Sequence, residues 1–183
     1  KGGGLCIVAG ALSLLKSALT SNTAVEGAGL YVADGKVSIL LTTVGINTAS
    51  GDPAVARGGG ILIAAAATLP VTVYSDTIAY NSAPRGGGID AEGGVLVLSN
   101  TILARNTAGT GPDCAATATA ALSSMGYNIL GDAADCPLAT LSPLDLVGID
   151  PGLGPLDLGR GSTLHHVPQP GSPAERASSI ASR

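Results

Sequence analysis

Residues 86–108 read GGGIDAEGGVLVLSNTILARNTA, and the parts of this stretch recur along the chain. They are a glycine cluster (Gly86-Gly87-Gly88-Ile89), an alternating apolar pair (Leu96/Leu98), a further apolar residue (Leu103) and an Asn106-Thr107-Ala108 ending. Upstream, clusters open at Gly2, Gly27 and Gly58, so that Gly4, Gly29, Gly60 and Gly88 are their last glycines. The pairs are Leu12/Leu14, Val37/Ile39 and Val71/Val73, the single apolar residues Leu19, Val44 and Ile78, and the polar endings start at Asn22, Asn47 and Asn81. Gly2 to Gly27 and Asn81 to Asn106 each span 25 residues; insertions within Ala64–Leu69 and Ala49–Ala56 lengthen the other intervals.

Alternation of apolar residues places one side chain inward and the next outward, the pattern of a strand with one buried face. A 25-residue unit offers about three such strands and too little core to fold alone, so successive units must stack. The fold expected is all-β: a right-handed parallel β-helix with about four full coils and a loop-rich C-terminal cap. Residues 1–113 are read as the coils and 114–183 as a disulfide-tethered last coil with the cap. The four Asn residues serve as turn residues that tolerate left-handed backbone, and stacked at strand spacing they form a hydrogen-bonded ladder. The glycines supply corners where a Cβ would clash or φ is positive. The residues before the clusters, Glu26, Arg57 and Arg85, fall in one column, with Glu26 beside Arg57.

Composition agrees. The 183 residues include 27 Gly, no Phe and no Trp, with 45% hydrophobic and only 12% charged residues. Such a chain is too apolar and too weakly charged for disorder. A net charge of −4 and scattered Lys and Arg exclude an electrostatic footprint for nucleic acid. The uncharged stretch Gly58–Ser75 is interrupted by glycines and Pro70, which excludes a membrane span. Because Gly2-Gly3-Gly4 is already the first repeat, the apolar N-terminal run is read as a coil rather than an export signal. The chain is then expected to start in mid-array, with an open edge that meets further coils of its parent or another protein.

Cys114 and Cys136 lie where the pattern decays, and a disulfide between them would tether that segment, worth roughly 3 kcal/mol for a loop of this size. Two buried thiols are the alternative. Cys6 is read as a lone thiol unless it pairs upstream. After Pro137 the chain reads as loops covering the open end, with residues from Arg176 onward frayed.

The glycine and Asn-Thr-Ala copies resemble the coils of polymorphic outer-membrane proteins and other right-handed β-helix repeat proteins. More specific are Gly111-Pro112-Asp113-Cys114, Gly126-Tyr127-Asn128-Ile129-Leu130-Gly131-Asp132, Cys136, Asp150-Pro151-Gly152-Leu153-Gly154-Pro155-Leu156, Thr163-Leu164-His165 and Gly171-Ser172-Pro173-Ala174. In that order they resemble the choice-of-anchor Q type of bacterial β-helix protein, over nearly the whole chain. The resemblance implies export and surface anchoring, often without a demonstrated activity. One departure is that Gly-Ser-Pro-Ala usually runs on into Ile-Asp-Ala-Gly, whereas Glu175-Arg176-Ala177-Ser178 follows here.

Some β-helices cleave polysaccharides, which requires paired carboxylates or clustered acids with a base. Asp90 and Glu92 are the best local pair, yet the equivalent positions in other copies are not acidic, so a solvated polar face is the favoured reading. Asp34 and Asp76 stand in separate columns. His165-His166 point opposite ways on an extended segment and are read as structural. No catalytic, metal or cofactor residues are assigned. The expected function is a non-catalytic structural or adhesive segment of an exported bacterial cell-surface protein, with a polysaccharide or host surface as ligand class. The alternatives are a polysaccharide-active enzyme and a filament assembled by end-to-end stacking.

Overall fold

Each apolar pair forms a strand and each glycine cluster turns the chain into the next one. In the structure, a computed structural model, residues 1–159 and 161–180 are described. The first coil carries β1 (Leu5–Ile7), β2 (Ala11–Leu15), β3 (Ala18–Thr20) and β4 (Thr23–Ala24). The second repeats this with β5 (Leu30–Val32), β6 (Lys36–Leu40), β7 (Thr43–Gly45) and β8 (Thr48–Ala49). The third has β9 (Ile61–Ile63), β10 (Pro70–Tyr74) and β11 (Thr77–Ala79); the fourth has β12 (Ile89–Ala91), β13 (Val95–Ser99) and β14 (Ile102–Ala104). A fifth follows with β15 (Cys114–Ala116), β16 (Ala121–Ser124) and β17 (Ile129–Leu130), and a partial sixth with β18 (Leu138–Thr140) and β19 (Leu146–Val147).

Like strands of successive coils pair in parallel, giving three long sheets in the orders β1-β5-β9-β12-β15, β2-β6-β10-β13-β16-β18 and β3-β7-β11-β14-β17-β19. This is a parallel β-helix, as the repeat predicts. The register joins the sequence columns: Leu12 to Val37, Val37 to Val71, Val71 to Leu96 and Leu96 to Leu122 in the second sheet. In the third sheet it joins Leu19 to Val44, Val44 to Ile78, Ile78 to Leu103 and Leu103 to Leu130. These rows form one continuous aliphatic core. Both insertions bulge outward as turns and leave the register intact, and the first also lends Ala67 to the core.

The stack has about five turns, one more than the four expected. The fifth lies in the segment read as the disulfide-tethered last coil, where Gly111-Pro112-Asp113 replaces the triple glycine and Cys114 replaces the aliphatic residue opposite Ile89. Gly111 keeps the positive φ of Gly86, so the backbone turns identically.

The loop-rich C-terminal segment also carries regular structure of its own. Strands β20 (Leu153–Asp157) and β21 (His165–Pro168) pair antiparallel, and helix α1 spans Pro173–Ile180. This unit lies on the outer face of the third sheet, where Leu153 and Ala174 pack with Ala79, Ile129 and the half-buried Ile102. Those outward residues are apolar and need a cover, which the third sheet gets from the side. The helix falls where fraying was expected. Ser172 caps it by accepting from the Glu175 N–H, Pro173 takes the first helical position, and the Glu175 carboxylate accepts from the Gly171 N–H. Residues 181–183 of the expected frayed tail lie outside the described residues. At the first coil, Leu5, Leu12, Leu14 and Leu19 remain half-buried beside the unpaired edges of β1, β2 and β3.

Candidate functional site

Asn22, Asn47, Asn81 and Asn106 form the expected ladder. Each Nδ2 donates to the Oδ1 one coil on, at 2.9 Å, and each backbone N–H donates to that same oxygen at 2.9–3.0 Å. The second Nδ2 hydrogen reaches back to the preceding coil, from Asn47 to the Leu19 carbonyl, Asn81 to Val44 and Asn106 to Ile78. The last rung is a carboxylate. Asp113 Oδ1 accepts from both nitrogens of Asn106, and its Oδ2 accepts from the Asp132 N–H. Burial pushes the Asp113 carboxyl upward, and these N–H donors pull it back.

The Asn residues do not themselves adopt left-handed backbone. The residue before each does: Ser21, Ile46, Tyr80 and Arg105, with φ between 58° and 63°. Gly4, Gly29, Gly60 and Gly88 sit against the ladder. A Cβ on Gly60 would stand 2.5 Å from the Gly88 carbonyl oxygen and 3.1 Å from Asn81 Nδ2, so the third glycine is required by close approach. Positive φ belongs to the first glycine of each cluster, such as Gly58 at 64°.

A second ladder, unread in the sequence, runs through the corner between the second and third sheets. Backbone N–H groups of Ser17, Thr42, Asp76, Thr101 and Asn128 donate in turn to side-chain oxygens of Thr42, Asp76, Thr101, Asn128 and Asp145. Here too a left-handed residue precedes the rung, as with Leu41 and Thr42. The signal was spacing alone, Ser17 to Thr42 and Asp76 to Thr101 being 25 residues each, and mixed residue types hid it. Asp76 is buried, and desolvation pushes its carboxyl up to about 7 against the pull of the Thr42 and Tyr74 N–H groups.

The outer face of the first sheet carries charges. Glu26 stands beside Arg57 as the column predicts, with Oε1 2.9 Å from Arg57 Nη2, and Lys1 Nζ lies 3.3 Å from its other oxygen. Asp90 and Glu92 are not a solvated face. Asp90 is fully buried and bound by Arg85 Nε at 3.0 Å, while Glu92 accepts from Arg57 Nη1 at 2.5 Å. Arg85 Nη2 is sealed without a hydrogen-bond partner. Burial raises the carboxyls of Asp90 and Glu92, and the arginines oppose it. Burial also works against ionised Glu26, but hydrogen bonds from Arg57 and Lys1 prevail and hold its carboxyl low. Each carboxylate of the best catalytic pair thus serves as acceptor to its own guanidinium, an arrangement that joins the second, third and fourth coils. Asp34 is engaged elsewhere, accepting from the Thr68 N–H and Oγ1 of the inserted turn.

Cys114 and Cys136 are disulfide-bonded, with Cα atoms 5.1 Å apart. Cys114 points into the core as the successor of Ile89, so the bond closes the interior rather than tethering a surface insertion. Cys6 is a free, exposed thiol. His165 and His166 do face different ways: His166 is buried and His165 half-buried.

A groove of about 520 Å³ runs between α1 and the partial sixth coil, lined by Tyr127, Pro143, Leu144, Leu146, Ile149 and Pro173 among others. Its walls are mostly apolar, with Asn100, Asn128 and Arg176 also among the lining residues. No family model, curated protein or solved structure matches this chain. Among the described residues no three His, Cys, Asp or Glu side chains converge as metal ligands would, and no helix is long and apolar enough to cross a membrane.

Proposed function

We propose that this chain is a rigid structural or adhesive segment of an exported bacterial cell-surface protein, acting without catalysis. The observation that carries this reading is the continuous Asn–Asp ladder. It spends one polar side chain per coil on holding the stack in register, and a buried network satisfied throughout favours one rigid arrangement. The disulfide supports export, because such bonds persist in oxidising compartments. The role is that of a spacer that presents neighbouring modules, with a polysaccharide or host-surface ligand as the adhesive partner. The edge of the first coil, with its half-buried leucines, suits a further coil of the parent or of another protein.

The test is twofold. Pulled from its ends in a single-molecule force experiment, the chain should unfold coil by coil at forces that drop when Asn81 is replaced. Incubated with a panel of acidic and neutral polysaccharides, it should release no reducing or unsaturated ends. Cleavage that disappears in an Asp90→Asn, Glu92→Gln double variant would overturn the reading in favour of a polysaccharide-active enzyme.

A further inference from the structure

We propose that the unit formed by β20, β21 and α1 is a latch on the outer face of the third sheet, opened by mild acid through protonation of His166. Three observations place it there. The latch holds by a small apolar cluster of its own, Ala79, Ile129, Leu153 and Ala174 flanked by Ile102 and Ala177, separate from the solenoid core. An open cleft of about 330 Å³ lies between it and the coils, lined by Ser75, Asp76, Thr101, Tyr127, Pro168 and Ala174 among others, so the contact is incomplete. Between latch and coils sits the His166 ring, buried, with its centroid 4.8 Å from that of Tyr80. Elements of this kind, with few apolar contacts, are the ones that open locally.

The surroundings of the imidazole favour its neutral form. Nδ1 lies 2.9 Å from the Gly154 carbonyl oxygen, so it must carry the proton and donate. Nε2 is sealed without a partner and faces Gly45, where an added Cβ would come within 3.3 Å. A proton arriving at Nε2 therefore creates a buried N–H and a buried charge with no acceptor among the described residues. Such a group costs the latch far more than it costs the open state, where water solvates it.

Other titratable groups on the packed elements do not offset this. On the hairpin they are His165, whose charge opposes protonation of His166, and Asp157, which pairs in register with His165. Asp150 at the foot of the hairpin binds Arg105 through Nε and Nη2. Glu175 and Arg176 lie on α1, and the coils contribute Tyr80 and Asp76. Burial first, then His165, holds the His166 pKa below its ordinary value, while the Gly154 carbonyl resists. For a base depressed in the latched state, the latch is fully held above the open-state pKa, about 6.5. Its hold is lost as pH falls through the latched value. Asp76 has the opposite sign, because its carboxyl is raised by burial and becomes neutral on acidification. Mild acid therefore tightens the coil beneath while it loosens the latch, which separates this opening from general acid unfolding.

The experiment is hydrogen–deuterium exchange on the whole chain at pH 7 and pH 5, corrected for intrinsic rates, with a proton NMR titration of the two histidines. Protection in β20, β21 and α1 should fall at least tenfold at pH 5, while β6, β10 and β13 keep theirs. His166→Phe should keep the latch protected at pH 5. Equal protection at both pH values, or an equal fall in His166→Phe and the parent, overturns the proposal. Should His166→Phe already lack protection at pH 7, the parent's titration decides: exchange must begin to rise as pH falls below about 6.5 and level off at the His166 midpoint, and a mismatch overturns it.

Discussion

Replacing Asn81 by Ala should destabilise the chain far more than replacing Asn22, although both belong to the same column. Asn81 Oδ1 is the acceptor for two nitrogens of Asn47, and its Nδ2 serves Asn106 Oδ1 and the Val44 carbonyl, all buried. In Asn81→Ala, Asn47 Nδ2 keeps the Leu19 carbonyl and Asn106 Oδ1 keeps the Asn81 backbone N–H. The Asn47 N–H and the inner lone pair of Val44 are left orphaned. Each orphaned buried group costs about 1–3 kcal/mol, so the two together cost roughly 2–6 kcal/mol. For a chain of this size that corresponds to about 4–24 °C in melting temperature. Asn22 sits at the edge, half-buried, and its Nδ2 donates to an oxygen that the Asn22 backbone N–H also reaches, so Asn22→Ala should cost only about 0.5–1 kcal/mol. Urea unfolding followed by circular dichroism, paired with exchange at the Asn47 amide, measures both. If the two variants agree within about 1 kcal/mol, the ladder is not what holds the coils in register.

The remaining predictions concern the glycines, the disulfide and a buried acid. Gly60→Ala forces a Cβ to 2.5 Å from the Gly88 carbonyl oxygen, backbone that cannot step aside, and should cost about 3 kcal/mol or more in the same urea titration. Replacing Cys114 and Cys136 by Ala should lower stability by roughly 3 kcal/mol, and a reductant should mimic the loss in the parent but not in the double variant. Asp76, raised to about 7 in the folded chain, contributes stability that is fully present below its unfolded value near 4 and lost as pH rises through 7. Asp76→Asn should therefore flatten the slope of unfolding free energy between pH 4 and 7; an unchanged slope would show that another group carries it.

Much of this protein was legible in its sequence because a solenoid repeats its environment. The inward row Val37, Val71, Leu96 recurs since each coil meets the same neighbours above and below, and the Asn column recurs because each carboxamide must bond the next. Period and alternation alone therefore determined the strands, their register, the ladder, the third-glycine column and the neighbourhood of Glu26 and Arg57. The tertiary structure decided what does not repeat. The fifth coil could be built on Cys114 because a half-cystine fills an inward position that elsewhere needs an aliphatic side chain. The second ladder accepts Thr, Asp or Asn alike, since only a side-chain oxygen is required at each rung, so no residue type announces it. Asp90 became a buried ion-pair member through Arg85, a partner that alternation places only loosely. The latch was beyond any periodic reading: its place on the third sheet depends on outward apolar residues from three coils, Ala79, Ile102 and Ile129, which meet only once the chain is wound.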